Sequence, residues 1–266
     1  MLQSLFGNQN IARILFFLFV NERCYATQIQ VLLQVPLTPL QQALLKLEKQ
    51  GIVESHFEGK QRIYRFNEHY PIYAELQALL KKAYTLLSSS EKKQYCFIHK
   101  PRLLFTAEAD RERMRKHSLK IFWERLARVQ SLAFLAKSRH GDQQSIKEGQ
   151  AHVKVSALSS DVLVFVEKGQ WFQKDLAHTV FSNSFRWSLD LQSSLITLEH
   201  LRYGAQQPVF LFHLTVTQPH MLESVDAHLC AQDTYLGNIV WNQDQIDFHW
   251  RIIGPHKNDN LTYCYI

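Results

Sequence analysis

Two groups of side chains in this sequence have types and spacings that can do chemistry. The first is Gln41, Gln42 and Lys46, which fall opposite Leu40, Leu44 and Leu47 when the stretch is wound as a helix. Glutamine amides can bond base edges, and a lysine can reach a phosphate or a guanine. Further on, Lys60, Gln61 and Arg62 make a small basic tip at a Glu58-Gly59-Lys60 turn, chemistry suited to a phosphate backbone. The second group is Glu167, Arg186, Glu199, His200 and Arg202, followed by His228, Asp233, Tyr235, Arg251 and Lys257. These are acid, base and cation side chains carried on alternating, strand-like stretches. Strand positions point either inward or to solvent, and the sequence alone does not choose between them. Inward, they would form a paired network that fixes the interior, because an unpaired buried charge is costly, or the polar end of a ligand pocket.

Around the first group, the sequence predicts a helix over 8–20, a second over 26–34, and a third after Pro36. Thr38 is the expected N-cap of the third helix, with Pro39 at its first helical position and Gly51 at its C-terminal end. Ile52–His56 and Arg62–Phe66 follow as two short strands. Residues 72–87 carry an apolar stripe of Ile72, Leu76, Leu79, Leu80, Tyr84 and Leu87, which serves either packing within the chain or a dimer. Ser88-Ser89-Ser90 is expected to break the chain, and Asp110–Lys116 reads as a mixed-charge helical run. From Ser118 to Ser138 the spacing of Ile121, Phe122, Leu126 and Val129 again predicts a helix.

Beyond Gly149 the period changes to two. Nine short strands are expected, at 151–157, 162–167, 185–191, 195–201, 209–216, 223–232, 236–241, 246–253 and 261–265. That spacing predicts a closed antiparallel barrel or a sandwich, and a leading helix before a meander favours the barrel. The expected class is therefore α+β, with an N-terminal domain over 1–90, a basic connector over 91–118 and a barrel domain over 119–266.

Charge divides along the same lines. The first 90 residues hold nine Lys/Arg against six Asp/Glu, residues 91–120 hold nine against four, and the remainder holds 12 against 14. The basic excess, including Lys92, Lys93, Lys100 and Arg102, lies in the first half and its connector. Such asymmetry points to nucleic acid at one end. The four cysteines, Cys24, Cys96, Cys230 and Cys264, form no CxxC pair, which argues against a zinc site or a disulfide framework and for reduced, cytoplasmic thiols. His228-Leu229-Cys230 places two metal-capable side chains on one strand face, too few for a site, so no metal or other cofactor is expected. Ile14–Val20 is too short to cross a bilayer and lacks a cleavage site after it, so it is expected as a buried helix rather than a signal or anchor. No nucleophile elbow, phosphate loop or zinc-hydrolase motif accompanies the acidic and histidine residues, which disfavours an enzyme.

Residues 4–88 resemble the ArsR-like winged helix-turn-helix transcriptional regulators. The resemblance rests on LFGNQNIARILFFL, on TPLQQALLKLEKQGIV and on GKQRIYRFN. The metal-sensing branch of that family often carries a Cys-x-Cys-type motif on the recognition helix. No cysteine lies there in this chain, so metal sensing does not carry over. The resemblance implies a homodimer on double-stranded DNA, each recognition helix in a major groove of a partly palindromic site. Residues 119–266 resemble an uncharacterised family of bacterial lipocalin-like (calycin) domains through VFVEKGQW, FRW, LEHLRYG, PVFLFHL, HLCAQDTY and HWRIIGPHK. His256 departs from an expected GPRK-type phrase, which weakens an anion site there, and this resemblance implies no activity. The joint expectation is a DNA-binding regulator whose barrel senses a small molecule or binds a protein. The alternative is an enzyme or ligand-binding protein acting through the barrel, with the winged helix as a docking module.

Overall fold

Ile14–Val20, the most apolar run of the chain, is buried at every position and forms the centre of a first hydrophobic core. In the computed structural model, which describes residues 2–97, 108–140, 143–173 and 178–266, this run belongs to α2 (Gln9–Asn21) and follows a short α1 (Leu2–Phe6). Asn8 caps α2 by accepting from the amides of Asn10 and Ile11 at 2.8 and 3.2 Å. The chain continues through β1 (Arg23–Cys24), α3 (Ala26–Leu33), α4 (Leu37–Lys49), β2 (Val53–Glu58) and β3 (Gln61–Phe66), then α5 (Tyr73–Thr85). β1, β3 and β2 make a small antiparallel sheet in that order. The apolar faces of α3, α4 and α5 close over α2.

Two sequence expectations change here, and a third, left open between packing and a dimer, is filled in. The N-cap of α4 is Pro36, not Thr38, which already lies in the first turn, because Pro36 takes the extended backbone that precedes a helix and the helix starts at Leu37. Ser88–Ser90 starts a helix rather than breaking the chain. Ser88 and Glu91 form a reciprocal capping box for α6 (Ser89–Tyr95). The stripe of α5 is consumed within the chain at Leu76, Leu80, Ala83 and Tyr84, whereas Ile72, Leu79 and Leu86 stay exposed.

Next comes α7 (Glu108–Leu126), which runs across residue 118 as one helix. The helix expected to reach Ser138 ends twelve residues short of it. Phe122, Leu126 and Val129 keep helical spacing, but Leu132 and Ala136 begin a two-residue period, and Ser131–His140 is strand β4. Of the expected basic connector, Lys100 and Arg102 lie outside the described residues.

The barrel continues with β5 (Gln143–Ser159), β6 (Val162–Gln173), β7 (Thr179–Asp190), β8 (Leu195–His200) and β9 (Val209–Gln218). It is completed by β10 (Met221–Ser224), β11 (His228–Cys230), β12 (Asp233–Trp241), β13 (Ile246–Ile253) and β14 (Asn258–Tyr265). β4 to β10 and β12 to β14 form a closed ten-stranded antiparallel barrel, shut by pairing of Met221–Glu223 with Asn238–Val240. The single strand expected over 223–232 is divided, because β10 and β11 share one edge of β12, β11 pairing with Asp233–Tyr235. Gly149 leaves room for the Phe134 ring from β4; a Cβ there would lie 2.3 Å from it.

α7 packs into this second core through Leu119, Phe122, Trp123 and Leu126. The barrel's outer surface meets the first core, which includes Ala227 and Ile253. Tyr84 donates to Thr234 Oγ1 at 3.2 Å, and Arg251 donates to the Phe19 carbonyl at 2.9 Å. Among the described residues no helix is long and apolar enough to cross a membrane.

Candidate functional site

α4 buries Leu40, Ala43, Leu44 and Leu47, so its opposite face turns outward. Thr38, Gln41, Gln42, Leu45, Lys46 and Lys49 are exposed with the barrel in place. Gln50 and Gly51 end the helix sharply. Gly51 has φ +72°, its amide bonds the Glu48 carbonyl at 2.9 Å, and the Ile52 amide reaches the Leu47 carbonyl at 3.0 Å. This is a Schellman closure, which favours glycine because the backbone enters the left-handed region. The chain is thereby aimed straight into β2, and the β2–β3 hairpin turns at Gly59 with φ +60°.

The hairpin is fastened to the helix by a network absent from the sequence expectations. Arg62 donates to both carboxylate oxygens of Glu48 at 2.9 and 2.7 Å and to Ser55 Oγ at 2.9 Å, and Ser55 donates to Glu48 at 2.5 Å. Arg62, expected on a phosphate, braces β3 against α4 in this structure. Lys60 and Gln61 remain exposed at the tip. Glu58 sits 3.0 Å from His56 and accepts from Arg23 at 2.8 and 3.1 Å. These hydrogen bonds hold its carboxyl below the usual range. Arg65 is engaged by Glu54 at 2.6 Å. The exposed cations of this surface without a partner among the described residues are Lys46, Lys49 and Lys60. Lys49, three residues after Lys46 on the same face, was legible from its spacing. Glu48 and Ser55 were not, since only tertiary pairing brings them to Arg62.

The barrel separates the second group of candidates. Glu167 shares the inner face of β6 with Leu163 and Phe165 and is fully buried. Tyr265 donates to its Oε1 at 2.7 Å, and Asn183 reaches Oε2 at 3.5 Å. Burial pushes its carboxyl up to about 7, against the opposing effect of those two hydrogen bonds. His200 also turns inward and stacks on Phe185 at 4.8 Å. His228 lies against Phe210 and Tyr235, and burial lowers its pKa, as it does that of His200.

Arg186, between the buried Phe185 and Trp187, points outward and pairs with Glu199 at 2.7 Å. Arg202 lies exposed in a loop over the Tyr203 ring. Lys257 bonds Asp233 at 2.5 Å and Tyr235 at 3.0 Å. Burial pulls the Lys257 pKa down, but these bonds outweigh it and leave the ammonium raised. Arg251 leaves the barrel altogether for the underside of α2. The ten barrel candidates thus do not converge on one pocket. The interior is filled instead by Phe165, Trp187, Phe212, Phe248 and Trp250, with neighbouring ring centroids 4.8–6.0 Å apart. Among the described residues no cluster of three or more His, Cys, Asp or Glu is placed to hold a metal ion.

No curated protein and no solved structure matches the chain. Residues 131–266, from the first strand of the barrel to the last residue, match the family of unknown function DUF6314. Since the match takes in just over half of the sequence, the chain belongs to that family.

Proposed function

We propose that this protein is a DNA-binding transcriptional regulator. In this reading residues 1–90 are a winged helix-turn-helix domain, α4 is its recognition helix, and the β2–β3 hairpin is its wing. The lipocalin-like barrel is the sensor or interaction module. The observation that carries the reading is the exposed polar face of α4, which the buried Leu40, Ala43, Leu44 and Leu47 aim away from both cores. Gln41 and Gln42 are of the type that reads base edges, and Lys46, Lys49 and Lys60 suit phosphates on either side. The basic excess of residues 1–120 agrees in sign. A homodimer fits the reading through Ile72, Leu79 and Leu86, the edge of α5 that its own core leaves exposed.

The test is the affinity of the full chain for a random duplex at two salt concentrations. Binding that falls steeply as salt rises is expected from several lysine–phosphate contacts. Absence of binding at both concentrations overturns the reading and leaves the barrel as the place of function.

A further inference from the structure

We infer that a cleft between the N-terminal helices and the outer wall of the barrel is a binding site for a small organic anion with an aromatic or aliphatic body. It goes beyond the DNA reading and stands without it. The cleft has a volume of about 650 Å³, within the range of about 300–1,000 Å³ in which small-molecule sites fall. One wall comes from α2, α5 and the hairpin, and the other from β4, β13 and β14.

Two buried donors in its wall want an acceptor. Gln77 is only 5% exposed, and its amide Nε2 has no partner. The buried Nε of Arg251 likewise has none, although its two terminal nitrogens bond the carbonyls of Phe19 and Asp259. A buried donor left unmatched costs about 1–3 kcal/mol, so two of them lining one cleft call for an acceptor. Lys137, on the outer face of β4, adds a cation with no partner among the described residues.

The carboxylates that line the cleft are already engaged. Glu54 accepts from Arg65, Glu68 from Arg139 at 3.3 Å, and Glu22 from Asn260. Arg65 and Arg139 are the partners of Glu54 and Glu68, which leaves Lys137 and Arg251 against Glu22 and gives the lining one cation in excess. Phe19, Phe66 and Tyr73 supply rings for the apolar body. An occupant would touch Arg65 and Phe66 of the hairpin together with Lys137 of the barrel, and so tie the two halves to each other.

The probe is 8-anilinonaphthalene-1-sulfonate, titrated by fluorescence into the full chain with no DNA present. Its neutral counterpart is N-phenyl-1-naphthylamine, the same rings without the sulfonate. Saturable binding of one sulfonate probe per chain is expected, with the neutral compound bound much more weakly. Lys137→Ala alters an exposed side chain, and Gln77→Leu replaces the unmatched amide by a shape of similar size. Each should weaken the sulfonate probe about tenfold, the worth of one hydrogen bond to a charged group. Equal affinity for the two compounds, sulfonate binding unchanged by both substitutions, or no saturable binding would each overturn the inference.

Discussion

The surface of α4 and the barrel both carry polar side chains and use them in opposite ways. On α4, glutamine and lysine stand exposed and unpaired because the helix needs only one face for its core. In the barrel, every second residue faces a packed interior, and the charged candidates there are matched inside, as Glu167 is by Tyr265, or turned out and paired, as Arg186 is with Glu199. Polar residues left unpaired on a rigid element are available to a partner. Those satisfied within the fold contribute to shape. On the proposed reading the recognition chemistry belongs to α4, and the barrel's Glu167, Arg186 and Glu199 are part of its framework.

The largest expected effect breaks the interior and spares the surface. Phe248→Ala removes a ring that contacts Trp187, Phe212 and Trp250, and should cost about 3–5 kcal/mol in denaturant unfolding. Gln42→Ala, by contrast, should change stability by less than about 0.5 kcal/mol while relaxing sequence preference on DNA. Equal losses of affinity on specific and random DNA would remove Gln42 from base readout.

The second effect concerns Glu167. Its folded-state pKa of about 7 lies above the ordinary glutamate value of 4.5. Below that ordinary value both folded and unfolded chains hold the proton. Between it and about 7 only the folded chain does, so stability falls as pH rises through this window. Glu167→Gln keeps an acceptor for Tyr265 and removes the titration. The variant should gain on the order of 3 kcal/mol over the parent at pH 8, and the gain should vanish near pH 4. A pH-independent difference in unfolding free energy would show that the carboxyl is not buried as described.

Arg62 sharpens the boundary between framework and recognition surface. Arg62→Ala leaves Glu48 and Ser55 without their cation at a site that is partly exposed, so the stability loss should be about 1 kcal/mol. DNA affinity should fall as well, through the loosened hairpin, and Glu48→Gln should reproduce part of the loss although it removes no cation. An effect of Arg62→Ala with none from Glu48→Gln would return Arg62 to direct phosphate contact. The smallest effect on stability is that of Lys60→Ala, which should leave unfolding unchanged, weaken binding to all DNA sequences and lower the salt slope by about one.

Much of this contrast was legible in the sequence where it depends on period. The helix expected over 8–20 runs Gln9–Asn21, that over 26–34 runs Ala26–Leu33, and the hairpin lies within two residues of its expected bounds. The change to a two-residue period announced the barrel. What failed depended on local competition or on closure. The α7–β4 boundary was blurred because Val129 satisfies both periods. Ser88 has the same composition as a linker until Glu91 is seen to complete its capping box. Which barrel residues point inward follows from register, and the register of Arg186 with Glu199 or Glu167 with Asn183 exists only once the strands pair. The engagement of Arg62 by Glu48 depends likewise on the hairpin folding back on α4.

The central claim is that the exposed face of α4 reads DNA. The most direct test is retention of fragmented DNA from the protein's own genome by the full chain at two salt concentrations, with sequencing of what is kept. The account predicts enrichment of a partly palindromic site and a steep loss of retention at the higher salt. No retention at either salt, or retention without enrichment of any sequence, would contradict it.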